Sequence, residues 1–454
     1  MNVFTNQFHF PDGIAEYKVT PAVALQPGYF RFGKSVCYGR MSSGDLKSGP
    51  GADLYDVLGD VRFRKDDLHL PFDPGEVIDN LRNERYMAPA RRRFRNAIVT
   101  AARKTYYTFR PFMPVRFRKH LQRIYLKDWE RICFPAWPVD RTVENIFEEL
   151  IKLSLQSHRV AELPFIWFWP EGFSACSIMT HDIETEAGRN FSTALADLDV
   201  SFGVKSAFQV VPEERYTVTG SFLDSLRVRG CEVNLHGLNH DGNMFRDRRE
   251  FLRQVKRINK YAREYGATGF RSPVMYRNLE WYEDLEFSYD MSVPNAAHLE
   301  AQRGGCCTVM PYFIGDLLEL PLTTTQDYAL FNIVGHRSID LWQRQIQLIT
   351  EKHGLLSFNI HPDYMISDSC RAVYCQLLEH LVRTCAEQRI WMALPREVDQ
   401  WWRQREQMRL VKDAGRLRII GPMSDRATIA YARLKDGQVV YDIPDRTRYK
   451  RTSA

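Results

Sequence analysis

"SIMTHDIETEAGR", residues 177–189, decides how this chain is read. An apolar run ends in His181-Asp182-Ile183-Glu184, so two carboxylates stand two positions apart where a buried strand would finish. Acidic residues are favoured near a helix N-terminus, where they complement the dipole. The same placing would also deliver a metal ligand and a base to an open site.

The surroundings favour a strand end. From about 165 to 400 strand-like runs alternate with helix-like ones. "FSACSIMT", "KSAFQVV", "CEVNLH", "TGFRS", "FSYDMSV", "LLELPL", "LLSFNI" and "RIWMAL" read as strands. "GSFLDSLRVRG", "FRDRREFLRQVKRINKYAREYG", "SIDLWQRQIQLITEKHG" and "DSCRAVYCQLLEHLVRTCAEQ" read as helices between them. Strand–helix–strand repeated this often is the signature of a parallel α/β sheet, and the length suits a barrel.

The rest of the 454 residues is organised differently. Residues 1–87 are rich in turn signals, with short strand-like runs in "GYFRFG" and "DVRFR", and predict an irregular, partly β region. Residues 88–164 predict a basic helical segment ending in the amphipathic "TVENIFEELIKLSLQSH". After the barrel region, taken as 165–405, residues 406–454 predict a small antiparallel β appendage and a tail, with Lys435-Asp436-Gly437 as a hairpin turn.

Charge is unevenly spread. The net charge is +6, yet twelve basic residues and no acidic one lie between Ala88 and Lys127, leaving 50 basic against 56 acidic elsewhere. Such a helical stretch reads as a solvated face, as a docking surface for an acidic partner, or as a contact with an anionic membrane through residues 88–127. No nucleic-acid motif accompanies it, so no nucleic-acid partner is expected. The opening residues have no basic-plus-apolar leader and no apolar run approaches a membrane span, so a cytoplasmic location is expected, with peripheral membrane contact. Nine scattered cysteines without zinc-finger spacing read as reduced thiols, the adjacent Cys306 and Cys307 included.

Four of the strand-like runs end in residues capable of chemistry: Asp182 with Glu184, His236 with His240, Arg271, and His361. In a parallel barrel the C-terminal strand ends converge. His236 and His240, four apart, could share a helical turn and face one metal. With a carboxylate they would supply two imidazoles and one oxygen ligand and leave a position open for water.

In their order these residues resemble the motifs of the polysaccharide deacetylase family, the NodB-homology domain of carbohydrate esterase family 4. Thr180-His181-Asp182-Ile183-Glu184 is similar to a D-x-D/E variant of that family's T-F-D-D. His236-Gly237-Leu238-Asn239-His240 resembles H-[ST]-x-x-H with glycine in the hydroxyl position. Arg271-Ser272-Pro273 resembles R-x-P, although the aromatic comes only at Tyr276. Asp290 stands where a fourth motif is expected, and His361-Pro362 resembles the fifth. The resemblance spans roughly residues 165–400.

It implies a distorted (β/α) barrel and removal of acetyl groups from an N-acetylated sugar or polysaccharide. Glu184, His236 and His240 would hold a divalent metal, with zinc expected, that polarises water and the acetamide carbonyl. Asp182 would take the proton of the water, oriented and kept ionised by Arg271. His361 would protonate the departing amine. Asp290 would orient a neighbour or be a strand-end turn residue, a backbone N–H near Val274 would face the oxyanion, and His181 would pack in the core. Two alternatives stay open: an amidase for a small ureide or imide on the same barrel, and a non-catalytic glycan-binding module.

Overall fold

The computed structural model describes all residues except 1–2, 12, 24, 65–66, 88–125, 127 and 444–454. The basic stretch 88–127 therefore lies outside the described residues apart from Leu126. The chain divides into two compact units, one of residues 82–140 and 174–399, the other of 1–81, 141–173 and 400–454.

The first unit is α/β and is built on one sheet of nine strands. These are β1 (Ala175–Asp182), β2 (Ser206–Val210), β3 (Glu232–His236), β4 (Gly269–Arg271), β5 (Tyr289–Asp290), β6 (Tyr312–Ile314), β7 (Leu317–Glu319), β8 (Leu355–Asn359) and β9 (Ile390–Met392). Their order is β6-β7-β5-β4-β3-β2-β1-β8, with β9 beside the first residues of β1. Every pairing is parallel except the β6–β7 hairpin. All eight expected runs contain a strand; β6, short and half-buried, was not legible. No ladder joins β7 to β8. Residues 322–324 bridge that gap: Leu322 bonds to Val293 and Asn295, Thr324 N–H donates to Ser357 O at 3.3 Å, and the Thr323 hydroxyl donates to Leu355 O at 2.6 Å. The alternating sequence implies a parallel α/β sheet and the family resemblance a distorted barrel, and this sheet is both.

Helices α1 (Glu186–Ser201), α2 (Gly220–Arg227), α3 (Arg248–Tyr265), α4 (Asp340–Thr350) and α5 (Asp368–Gln388) connect the strands. α1 was not among the expected helices. Its "EAGRNFSTALADLDVS" has few large apolar residues, and a side-chain cap on Thr185 starts it.

Side chains alternate across a strand, and the ladder registers carry each face from strand to strand. Met179, Phe208, Val233, Leu235, Phe270 and Phe358 share one apolar core with Leu195, Leu226, Phe251, Ile258 and Leu377 of the helices. The other face aligns Asp182 with Gln209, Gln209 with Asn234, His236 with Arg271, and Thr180 with Asn359. All of these are buried. A buried polar face costs free energy unless its members bond to one another or to a ligand. That requirement sets up the site.

The second unit contains a hairpin of Gly28–Phe32 with Ser35–Gly39, the helix Thr142–His158, and a sheet in which Ile429–Lys435 pairs with Glu162–Ile166 and Gln438–Asp442. Val143, Ile146, Phe147, Leu150 and Ile151 of that helix are buried, as its apolar stripe requires. Asp436 and Gly437 both have positive φ (52° and 75°) and make the expected tight turn. Among the described residues no helix is long and apolar enough to cross a membrane. All nine cysteines are free thiols, and burial pushes the Cys307 thiol up.

Candidate active site

β1 carries Asp182 to its last position, and Glu184 follows just before α1. The helix start that would account for an acidic pair is present. Glu184, however, turns its carboxylate toward imidazoles: its Oε1 lies 2.9 Å from His240 Nε2, 3.8 Å from His361 Nε2 and 4.0 Å from His236 Nε2. Asp363 steadies this corner, accepting the Glu184 backbone N–H at 3.4 Å and the Thr185 hydroxyl.

His236 ends β3, and His240 follows on a loop rather than on the expected helical turn. Gly237 (φ 63°) and His240 (φ 54°) are both left-handed, which folds the loop back and brings the two rings to 4.9 Å. Arg215 pins the fold, donating to Asn239 O at 3.2 Å and His240 O at 2.7 Å. The glycine has a steric reason here. A Cβ at 237 would stand 2.6 Å from Pro273 Cδ and closer still to Cγ. The R-S-P turn therefore occupies the space that a serine or threonine would need. That turn is itself strained, with Val274 at φ 60° and Met275 at φ 53°.

Glu184, His236 and His240 each offer one ligand atom, all within 4.8 Å of one another. Both imidazole Nε2 atoms are buried; that of His236 has no hydrogen-bond partner, and that of His240 lies 2.9 Å from Glu184 Oε1. His236 Nδ1 lies 3.2 Å from Arg271 O, a carbonyl that can only accept, so the proton sits on Nδ1 and the Nε2 lone pair faces the cluster. A buried nitrogen without a partner, beside a second imidazole and a carboxylate, is costly in itself and is what a cation would satisfy. The donor set fits a divalent metal of the zinc type with positions left open.

Asp182 is one layer away, with Oδ2 3.8 Å from His236 Nε2. Arg271 Nη1 donates to Asp182 Oδ1 at 3.0 Å and to Thr180 Oγ1 at 2.8 Å, and its Nε donates to Met291 O at 3.0 Å. Asn359 Nδ2 donates to Asp182 Oδ2 at 2.8 Å. Burial alone would raise the Asp182 pKa. The Arg271 guanidinium, then His236, His361 and the Asn359 bond, outweigh it and hold the carboxyl below the usual range. Glu184 is held well below its range in the same way: His240 and His236 overcome burial.

His361 follows β8. Its backbone N–H donates to Asp327 Oδ2 at 2.9 Å, and its Nδ1 lies 2.6 Å from Asp327 Oδ1. Nε2 is left pointing toward Glu184. Burial alone would lower the His361 pKa, but Asp327, Glu184 and Asp182 raise it to about 10.

Asp290 is not brought together with these groups. The register pairs it with Phe270 and Glu319, on the helix-covered face opposite Arg271 and His236. Its carboxylate accepts from the Ser292 backbone N–H at 3.1 Å and hydroxyl at 2.6 Å. Burial raises its pKa, as it does that of Glu319. His181 faces the same covered side, bonded to Asp199 at 2.8 Å and Ile360 O at 2.9 Å, a packed core position.

Sequence reasoning missed Asp327, Asn359, Thr180 and Asp363. Asn359 and Thr180 were legible in principle: each is two residues before a named site residue, hence on its face. Asp327 carried no such signal, since it opens a short helical turn 34 residues before His361.

No family model and no curated protein matches the sequence. Among solved structures, a protein from Mycobacterium smegmatis assigned as a polysaccharide deacetylase is similar at 18% identity and TM-score 0.41, covering 52% of this chain and 93% of its own. Puue allantoinase is similar at 12% identity and TM-score 0.41, covering 52% and 92%. The peptidoglycan deacetylase PdaC from Bacillus subtilis is similar at 13% identity and TM-score 0.31, covering 52% and 96%.

Proposed function

We propose that this chain is a metal-dependent hydrolase that removes the acetyl group from an N-acetylated sugar or polysaccharide. Glu184, His236 and His240 hold the metal, which we take to be zinc. One observation carries the reading: two buried imidazole Nε2 atoms, that of His236 without a hydrogen-bond partner, converge with one carboxylate beside an ionised aspartate. When bound, such a metal supplies Lewis acidity to a water and to the amide carbonyl.

The other residues follow from their contacts. Asp182 is kept ionised and fixed at both oxygens by Arg271 and Asn359, so it accepts the proton of the attacking water. His361, protonated and aimed by Asp327, gives its Nε2 proton to the departing amine, a leaving group too poor to depart otherwise. Arg271 positions Asp182 and balances its charge. Asp290 reaches the R-S-P turn through Ser292: it binds the Ser292 hydroxyl, whose oxygen accepts the Ser272 N–H at 2.8 Å. The basic stretch 88–127 rests on an anionic membrane surface, which suits a lipid-linked sugar.

The test is acetate release from N-acetylglucosamine oligosaccharides by zinc-loaded protein, beside Glu184→Ala. Release that the variant lacks is expected. Zinc-loaded protein that frees no acetate, yet opens a cyclic ureide, would replace this reading with the amidase.

A further inference from the structure

The oxygens of Asp182 are held by different means. Arg271 fixes Oδ1, while Oδ2 depends on an amide, and an amide can present either its oxygen or its nitrogen. The ionised Asp182 can only accept and so selects the nitrogen; what holds that nitrogen in place lies behind Asn359. Asn359 Nδ2 donates to Asp182 Oδ2 at 2.8 Å and to Gln326 Oε1 at 2.9 Å. Gln326 Nε2 in turn donates to Glu300 Oε1 at 2.8 Å. Gln326 and Asn359 are buried, and Glu300 is half-buried. The chain runs one way only. A carboxylate at 300 demands the Gln326 NH2 group, which turns Oε1 toward Asn359, which turns the Asn359 NH2 group toward Asp182. Glu300 sits on a loop held from several sides: Ala297 N–H donates to Gly304 O at 2.8 Å, and Asn295 Nδ2 donates to Asp140 O at 2.8 Å and Thr308 O at 2.9 Å.

We propose that Glu300 is a positioning residue for Asp182, acting through the side-chain amides of Gln326 and Asn359. The proposal rests on Asp182 being the proton acceptor of the reaction. Buried polar chains of this kind specify one arrangement only while every link is satisfied.

Two readouts test it on zinc-loaded full-length protein. The first is hydrogen exchange of the Asn359 side-chain amide by NMR with ¹⁵N-asparagine labelling, the signal being assigned by its loss in Asn359→Ser. The second is the split of kcat against KM. Glu300→Ala removes the acceptor; it should speed the Asn359 exchange and lower kcat, each by about tenfold, with KM and zinc content held within about twofold. Glu300→Gln should restore both, because its carbonyl oxygen can accept the same bond. Gln326→Leu should match Glu300→Ala, and the double variant should lose nothing more.

Unchanged exchange in Glu300→Ala overturns the relay. So does a Glu300→Gln variant as impaired as alanine, which would mean that charge rather than acceptance matters. A raised KM with kcat intact would place Glu300 on the substrate instead. If wild-type protein released no acetate, the deacetylase reading alone would fall, and the exchange measurement would still decide the relay.

Discussion

Gly237→Ser would restore the hydroxyl of the H-[ST]-x-x-H motif that this loop resembles, and the structure expects it to do harm. Two costs combine. A residue with a Cβ at φ 63° enters the left-handed region, at about 1–2 kcal/mol. The Cβ must also displace the Pro273 ring, whose Cδ would stand 2.6 Å away, and overpacking of this sort costs about 1–3 kcal/mol. Together these reach roughly 2–5 kcal/mol, a large share of the roughly 5–15 kcal/mol that holds a domain folded. The strain falls on the site, because the loop carries His236 and His240 and the displaced turn carries Arg271, whose carbonyl fixes the His236 tautomer. Thermal unfolding and zinc competition against a chelator measure both effects. We expect a lowered melting temperature and zinc affinity weakened by about tenfold or more. Gly237→Ala should do the same, since the damage begins at Cβ. A serine variant as stable as wild type, with unchanged zinc affinity, would refute the steric account.

Three further outcomes are expected, two from the site and one from the basic stretch. Asp182→Asn offers one acceptor where Arg271 and Asn359 need two, so it should keep zinc, lose about 10²–10⁴-fold in turnover and destabilise the fold by about 3–5 kcal/mol. The folded pKa of Asp182 is depressed, so its contribution is complete above the unfolded carboxylate range near pH 4 and is lost as pH falls through the lower folded value. The variant should therefore lack part of the acid-side slope of stability against pH, and identical slopes would contradict the ion pair. Asp327→Asn should lower kcat by about 10²-fold or more while zinc content stays the same, because it frees the ring of His361 without touching the cluster; turnover within about threefold of wild type would remove His361 as the acid. Co-sedimentation with vesicles rich in phosphatidylserine should occur at low salt and fade at high salt if residues 88–127 contact a membrane, and absence of binding at low salt would end that proposal.

The barrel was legible because most of its strands are buried on both faces, so most of the expected runs are short and largely apolar. Face parity was the less visible property. Asp290 and Arg271 both stand at strand ends, yet the register turns Asp290 to the helices and Arg271 to the site. In a strand of two residues, sequence pattern alone does not define which face is which. Asp327, the carboxylate that does hold His361, lies on a helical turn where no strand pattern flags it. Gly237 likewise reads as a defect beside the motif it resembles, until the Pro273 ring is seen in the space of its missing side chain. What escaped the sequence was contact between segments distant in the chain; what it carried was the local pattern of each segment.

The most direct test of the metal cluster is elemental mass spectrometry of purified wild-type protein beside Glu184→Ala, each supplied with zinc and then desalted. The three convergent ligands lead us to expect about one metal per wild-type chain and much less in the variant. Wild-type protein without metal, or a variant that retains as much as wild type, would contradict the assignment of Glu184, His236 and His240 as a metal site.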